Sequence, residues 1–576
     1  MERKLLALAI AGMTMSQAHG LTFTVTEEND NGLADTQGTL SYAIRQANDP
    51  NGSKGRANGS IGPDVIDFQS DINITGPMMA LIDSDITIQG NGYTLSGGKL
   101  QRPLFIKSGN VVITDLVIED GLAKGQNTYG GGAGAGLGGG LFIYDGDVTL
   151  EGVSFRGNRA FGGKARVTNW SGGLHFAGGG MVKTDPLADS SAEQFGTSDF
   201  GSSLFGDGGY GSRHDSSEHQ AQGHYGGVPA TENDPNGGFG AGGRSNEQGG
   251  TGGNGGFGSG GGYGYAYGSG ICGGNDYICG QGGNGGFGGG GGYGGVTGGL
   301  GGFGAGGGGS YSSSASLGGF GTSLSRQDGA GMGGAIFIRS GQLALNDVTF
   351  EGNLAYGGNI HPDIVTGIPG PIDETPLVLA PRMASRAIIE NVDARGYGGA
   401  LFVLHTTENA NGNHQGMPDT LPSVSLCGVT FSNEEGSLNY ASATYGEENT
   451  SNVFDAGDRV ENLNGTFGFN SATQTIAVDA GEDVTVLLNF TNCGADFINW
   501  SVSTNPTKGQ AVLTSEGELT YTADEDASGS DTLVITASDG VVSKTLTVNV
   551  DLPGGSGGGS LFWLLGAFVP WLRRRK

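Results

Sequence analysis

Three carboxylates, Asp115, Glu119 and Asp120, lie within six residues of one another, and two guanidinium groups, Arg156 and Arg159, follow later in the chain. Carboxylates beside arginine can move protons at a glycosidic linkage, one group as acid and another as base. The same residues also suit solvated corners of a scaffold, and that reading is preferred, because other enzyme signatures are hollow. Gly554-Gly555-Ser556-Gly557-Gly558 fits G-x-S-x-G formally, but it follows no strand-like run and lies in low-complexity sequence. Matches to G-x-G-x-x-G are expected from composition alone in a chain with 120 glycines. Neither H-E-x-x-H nor G-x-x-x-x-G-K-[ST] occurs. A second acidic set, Asp524, Asp526, Asp531 and Asp539, could ligate Ca²⁺, although no segment follows the EF-hand loop pattern. No catalytic residue, metal ligand or cofactor is assigned, and the balance favours a protein that is not an enzyme.

The elements that would position such groups are visible as a repeat. Residues 138–163 (GGGLFIYDGDVTLEGVSFRGNRAFGG) and 333–358 (GGAIFIRSGQLALNDVTFEGNLAYGG) are identical at 13 of 26 positions without a gap. Each holds three apolar triplets separated by Gly, Asn or Asp, too short for helices and suited to small strands joined by tight turns. Residues 104–121 repeat the pattern 37 positions before 141–158; looser copies start at Ala80, and at Leu401 with a polar insertion before Val424. Such units bury their apolar side only against neighbours. The expectation is an all-β chain built on a right-handed parallel β-helix, with the 138 and 333 blocks as adjacent rungs. Asn158 and Asn353 read as corner residues that bond along the stack. Leu40, Ala43, Ile44 and Ala47 fall on one face of a short helix that would cap the open end.

Between the two blocks lies a glycine-rich insert, 164–332. It contains NGGFGSGGGYG at 254–264 and NGGFGGGGGYG at 284–294. Glycine loses much entropy on ordering, so composition favours a flexible loop. The alternative is a bundle of extended polyglycine helices, with Phe257, Tyr263, Phe287 and Tyr293 as contacts for a surface or glycan. The full reading is a signal peptide at 1–20, coils at 64–163 and 333–433 within a 21–433 domain, a linker at 434–465, a β-sandwich at 466–551, and a tail at 554–576.

Charge and cysteine bound the setting. The chain carries −29, with 22 basic and 56 acidic residues once Glu2, Arg3, Lys4 and Arg573 to Lys576 are set aside. A body this acidic repels phosphate backbones, which argues against nucleic acid. Arg3 and Lys4, the apolar run Leu5 to Met15 and the small residues before Gly20 form an export signal. Four cysteines fit an oxidising compartment: Cys272 and Cys279 could close a small loop, and Cys427 and Cys493 could link the coil region to the next domain.

Several segments resemble known families. The opening strand, G-T-L-x-x-A-I-x-x-A-N helix and Asp64–Phe68 strand resemble the start of secreted bacterial β-helix proteins. The motifs GGA-[IL] and F-x-x-N, as in Gly333-Gly334-Ala335-Ile336 and Phe350 to Asn353, resemble polymorphic outer-membrane proteins and adhesin-like β-helices, a group whose wider fold includes polysaccharide lyases and hydrolases. Residues 517–540, GELTYTADEDASGSDTLVITASDG, resemble cadherin-like or bacterial Ig-like modules. The tail begins with a Gly/Ser hinge, Gly554, Gly555, Ser556, Gly557, Gly558, Gly559 and Ser560. Then come 12 apolar residues (Leu561 to Leu572) and four cations. This order resembles the Gly-Gly C-terminal sorting signals of Gram-negative bacteria. That resemblance implies transient inner-membrane anchoring, cleavage within the seven hinge residues by a rhomboid-type protease, type II secretion and display on the cell surface. The function expected is an adhesin-like exported protein binding a glycan or cell surface; a polysaccharide-active enzyme or a structural exoprotein is the alternative. Mass mapping of the mature C-terminus should place it between Gly554 and Ser560; secreted protein that still carries Arg573 to Lys576 would contradict the sorting reading.

Overall fold

The structure is a computed structural model. It describes residues 20–48, 63–166 except 79, 178–181, 234–358 with short gaps, 395–462 with short gaps, and 468–553 with short gaps. The signal segment, Cys272 and Cys493 lie outside the described residues. So does the C-terminal tail with every residue of its expected processing hinge: Gly554, Gly555, Ser556, Gly557, Gly558, Gly559 and Ser560. The chain divides into two compact units, 1–464 and 465–576. Among the described residues no helix is long and apolar enough to cross a membrane.

The first unit is a stack of parallel coils. In one rung, strands at Leu141–Ile143, Asp147–Glu151, Ser154–Arg156 and Arg159–Phe161 each enter a different sheet. Asp147–Glu151 pairs in parallel with Asn110–Thr114 on one side and with Gln342–Asn346 on the other. The 138 and 333 blocks are therefore neighbouring rungs, residue for residue. The largest sheets of this unit hold eight, seven, five and four strands. The last of these, formed by Leu122–Lys124, Arg159–Phe161, Leu354–Tyr356 and Tyr440–Ala441, is additional to the three-strand rung expected from sequence. Its triplets mix Leu, Arg, Lys and Tyr around a buried alanine, so they carry no strong apolar signal.

The stretch 434–465 is not simply a linker. Tyr440–Ala441, Val453–Phe454 and Val460–Asn462 join the coil sheets in parallel. Its polar composition hides strands only two or three residues long. At the other end the helix Leu40–Ala47 is capped by Thr39, whose hydroxyl accepts the Tyr42 N–H at 3.3 Å. Leu40, Ala43, Ile44 and Ala47 are all buried against the first coils, as the spacing required.

The interior divides into two apolar clusters. In the eight-stranded sheet residues alternate, so that Val148 and Leu150 face the coil lumen while Thr149 faces out. In the five-stranded sheet all three residues of each main strand are buried. Leu141 and Ile143 face the lumen, whereas Phe142 points to the opposite side, into a second cluster with Phe105, Phe337 and Phe402. That sheet is covered on both faces.

An asparagine ladder runs through one corner. The backbone N–H and Nδ2 of Asn158 both donate to Asn353 Oδ1 at 3.0 Å. Asn353 repeats this onto Asn439 Oδ1 at 3.0 and 2.9 Å. Each Nδ2 also reaches a carbonyl of the preceding rung, Ile118, Phe155 and Phe350 in turn. Asn439 takes the corner of the next rung, eight residues after Phe431 where three separate Phe350 from Asn353. Replacing Asn353 by alanine strands the Asn158 amide and the Phe155 carbonyl in a buried site; urea unfolding should show a loss of about 2–4 kcal/mol, and a loss under about 0.5 kcal/mol would mean the ladder is dispensable.

Candidate functional site

The acid cluster resolves into corners and a charge ladder. Asp115 and Asp120 have φ of 48° and 50°, and the matching positions one rung on are Gly152 and Gly157, at 62° each. These corners need a left-handed residue, which Asp tolerates better than most. Across the seven-stranded sheet Ser96, Glu119, Arg156 and Glu351 stand in register. Arg156 Nε lies 3.2 Å from Glu351 Oε2, and Lys99 Nζ 3.8 Å from Asp120 Oδ2, in solvent-exposed pairs. Burial and the neighbouring Asp120 push the Glu119 carboxyl up, and Arg156 opposes this. Arg159 is one corner away on the next sheet, its charge disfavoured by burial. Alternating signs on successive rungs stabilise the stack, so these residues have a sufficient role in rung pairing.

The described residues of the glycine-rich insert form an ordered layer against the five-stranded sheet. Gly252, Gly255, Gly258, Gly261 and Gly264 donate in turn to the carbonyls of Gln281, Asn284, Phe287, Gly290 and Tyr293. Gly282, Gly285, Gly288, Gly291 and Gly294 then donate to Thr297, Leu300, Phe303, Gly306 and Gly309. A three-residue period in the bonding marks extended threefold helices of the polyproline II type. The layer is dense: a Cβ on Gly290 would sit 1.8 Å from the Gly132 carbonyl oxygen. The described residues of the insert are thus the bundle, not the flexible loop. Lateral hydrogen bonds and aromatic burial offset the entropy that composition alone charges against glycine.

The unit of this array is a hairpin tipped by Phe-Gly. Five occur among the described residues: Phe239-Gly240, Phe257-Gly258, Phe287-Gly288, Phe303-Gly304 and Phe320-Gly321, with glycine φ between 73° and 79°. Bonds from Ser259 N–H to the Gly256 carbonyl (3.0 Å) and from Gly289 N–H to the Gly286 carbonyl (2.8 Å) close two of the tips. Positive φ at the third position is that of a type II turn, which requires glycine there. The five phenylalanines stack on one another at 5.1, 5.3, 5.1 and 5.4 Å. The coil presents a matching column, Phe105, Phe142, Phe337, Phe402 and Phe454, stacked at 4.9, 5.1, 4.9 and 4.9 Å. The two columns meet edge to face, as at Phe142–Phe257 (5.9 Å) and Phe287–Phe337 (6.0 Å).

Two buried arginines flank the columns. Arg102 donates to the Leu137 and Gly138 carbonyls at 2.6 and 2.7 Å, over Phe105 and Phe142. Arg339 lies 4.1 Å over Tyr144 and 5.7 Å from both Phe257 and Phe287. Neither arginine carried a sequence signal. The aromatic candidates therefore divide: Phe257 and Phe287 are interior stacking residues, whereas Tyr263 and Tyr293 are half-buried and paired at 6.2 Å. Cys427 is disulfide-bonded; Cys272, Cys493 and the side chain of Cys279 fall outside the described residues.

The second unit is a sandwich of a four-stranded and a three-stranded sheet. Tyr521, Leu519, Leu533, Ile535, Val548 and Val550 fill it. Of the acidic set, Asp524 and Asp526 are exposed, and Asp539 lies outside the described residues. Asp531 is buried and accepts hydrogen bonds from the N–H groups of Thr507, Lys508 and Thr532 and from the hydroxyls of Thr507 and Tyr521, at 2.8–3.0 Å. Burial alone would raise its pKa, but these donors hold it down at about 2. Burial and the Asp531 contact push the Tyr521 phenol up. Among the described residues no group of His, Cys, Asp and Glu is placed to hold a metal ion.

Residues 469–551 match the family model of the bacterial Ig domain. No curated protein matches the chain. Among solved structures, an endo-fucoidan hydrolase of glycoside hydrolase family 107 aligns at 12% identity and a TM-score of 0.15. A variant of that enzyme gives 12% and 0.14. The chain spans about a sixth of these hydrolases, 16% and 15% of their length, using 17% and 16% of its own, and the likeness carries neither fold nor function.

Asp531 generates a pH signature. Its folded pKa is below the ordinary value of 3.8, so its contribution is complete above that value and is lost as pH falls toward about 2. Amide exchange of the strand Ser543–Leu552, taken relative to the intrinsic rate at each pH, should quicken over that window in the native chain. Asp531→Asn should quicken it at neutral pH and flatten the acid step; an unchanged step would assign it to another group.

Proposed function

We propose that this is an exported, surface-displayed protein of adhesin-like character: a rigid stacked scaffold carrying a bacterial Ig module. The observation that carries the reading is that module at 469–551, in a chain whose first unit engages its described phenylalanine columns and charge ladder in stacking. Support also comes from the sequence at both ends, which reads as an export signal and a sorting tail. On this reading the ligand is a glycan or another cell-surface component, and the half-buried Tyr263–Tyr293 pair is the described part of the insert best placed to meet it. Tyrosine suits such contacts because it presents an apolar ring with a polar tip.

Protease shaving of intact cells of the native host should remove the protein while cytoplasmic markers stay whole. Protein that resists shaving until cells are broken would overturn surface display. Tyr263→Ala with Tyr293→Ala should reduce adhesion of cells to a glycan-coated surface several-fold without altering the amount displayed; unchanged adhesion would remove the pair from the contact.

A further inference from the structure

The polar excursion between Val403 and Ser423 interrupts the repeat without disturbing it, since Leu401–Val403 and Ser423–Cys427 stay in register with the preceding rung. Its alternate residues form a comb of amides. Asn411 Nδ2 donates to the carbonyls of Gly301 (2.7 Å) and Leu317 (3.2 Å). Asn413 Nδ2 donates to Gly285 (2.7 Å) and Gly301 (3.1 Å). Gln415 Nε2 donates to Gly255 (2.6 Å). Gly255, Gly285 and Gly301 hold the same place in successive hairpins, two residues before Phe257, Phe287 and Phe303. From Asn411 to Gln415 every second residue thus reaches one hairpin further along the array, while Asn409 Nδ2 shares the Gly301 carbonyl at 3.5 Å. The longer glutamine stands at the far end, where one more methylene of reach is available. Arg339 ties down that end by donating from Nε to the Gly416 carbonyl at 2.9 Å.

We infer that this excursion is a clasp: its amide side chains hold the glycine array on the coil, and the array is a separable layer that opens as a unit when the clasp is lost. The chemistry fits the task. Extended polyglycine has no hydrogen bonds within a single helix, so its carbonyls take partners from neighbouring helices or from water. The comb supplies side-chain donors to one face of the array and fixes the register of successive hairpins. The coil has its own ladders and its own lumenal core, and its further ties to the array are local: Gly132 N–H donates to the Gly291 carbonyl and Ala135 N–H to that of Gly288. This inference is independent of where the protein is displayed.

The test is hydrogen exchange of the full chain in which Asn411, Asn413 and Gln415 are all changed to alanine. Amides of Gly258, Gly261, Gly288 and Gly291 should exchange at least tenfold faster, while those of Val148–Leu150 and Leu343–Leu345 stay within twofold of the native chain. Unchanged array amides would overturn the clasp, and equal acceleration of array and coil would overturn the separable layer. If the triple variant does not fold, Gln415→Leu decides: it keeps the side chain's bulk and removes one donor, and acceleration confined to the Phe257 hairpin and its neighbours is expected. No acceleration there, or acceleration throughout the coil, refutes the inference.

Discussion

Everything in the first unit depends on one spacing. Parallel strands lie about 4.7–4.9 Å apart, and that repeat sets the distance between equivalent side chains on successive rungs. Phenylalanine rings stack comfortably at nearly the same distance, and the coil column keeps to 4.9–5.1 Å. Lateral hydrogen bonds between glycine hairpins give the array column 5.1–5.4 Å. Because the two pitches agree, five hairpin tips lie along five rungs, the first four rings edge-on to the coil column and Phe320 tilted against it. An array with a different pitch would slip out of phase within two or three rungs. The asparagine ladder, at one corner, and the alternating Glu119, Arg156 and Glu351, in the seven-stranded sheet, obey the same repeat.

The coil was legible because its triplets recur at constant offsets and because the lumenal side demands apolar residues at fixed places. The offset of 195 between equivalent blocks showed that the insert leaves the stack intact, and the hydrogen bond from Asn158 to Asn353 joins the same pair of positions. The second apolar cluster was harder to see. Leu141-Phe142-Ile143 has no polar middle residue, whereas Val148-Thr149-Leu150 does; that difference distinguishes a strand covered on both faces from one covered on a single face. In the insert, two copies of NGGFG stand out through their identity. A third copy stands at 236–240, the remaining two tips carry leucine in place of asparagine, and the common unit reduces to G-G-F-G, which a glycine-dominated composition conceals. Whether such a segment folds depends on a partner surface, and that surface belongs to residues far away in the chain.

The charged candidates illustrate a second limit. Asp115 and Asp120 clustered with Glu119 in sequence, which is how paired carboxylates of an active site would look. Their backbone geometry gives another reason for the residue type, because the next rung places glycine at both corners. Asp531 presents the opposite case. Nothing in its sequence context separates it from Asp524 or Asp526, yet it alone of these three is buried and satisfied by backbone donors. Its role is to pin the segment Thr507-Lys508 to the strand Gly529–Ser538, inside a module of the kind that recurs in bacterial Ig domains.

The central claim is that the glycine array and the coil are joined by interlocking phenylalanine columns. A double-mutant cycle on Phe287 and Phe337, whose ring centroids are 6.0 Å apart, tests it most directly. Unfolding of the first unit would be measured for Phe287→Ala, Phe337→Ala and the pair. The interlocked columns predict a coupling energy of about 0.5–1.5 kcal/mol. Losses that add to within about 0.3 kcal/mol would mean that the two columns do not feel one another, and would contradict the account.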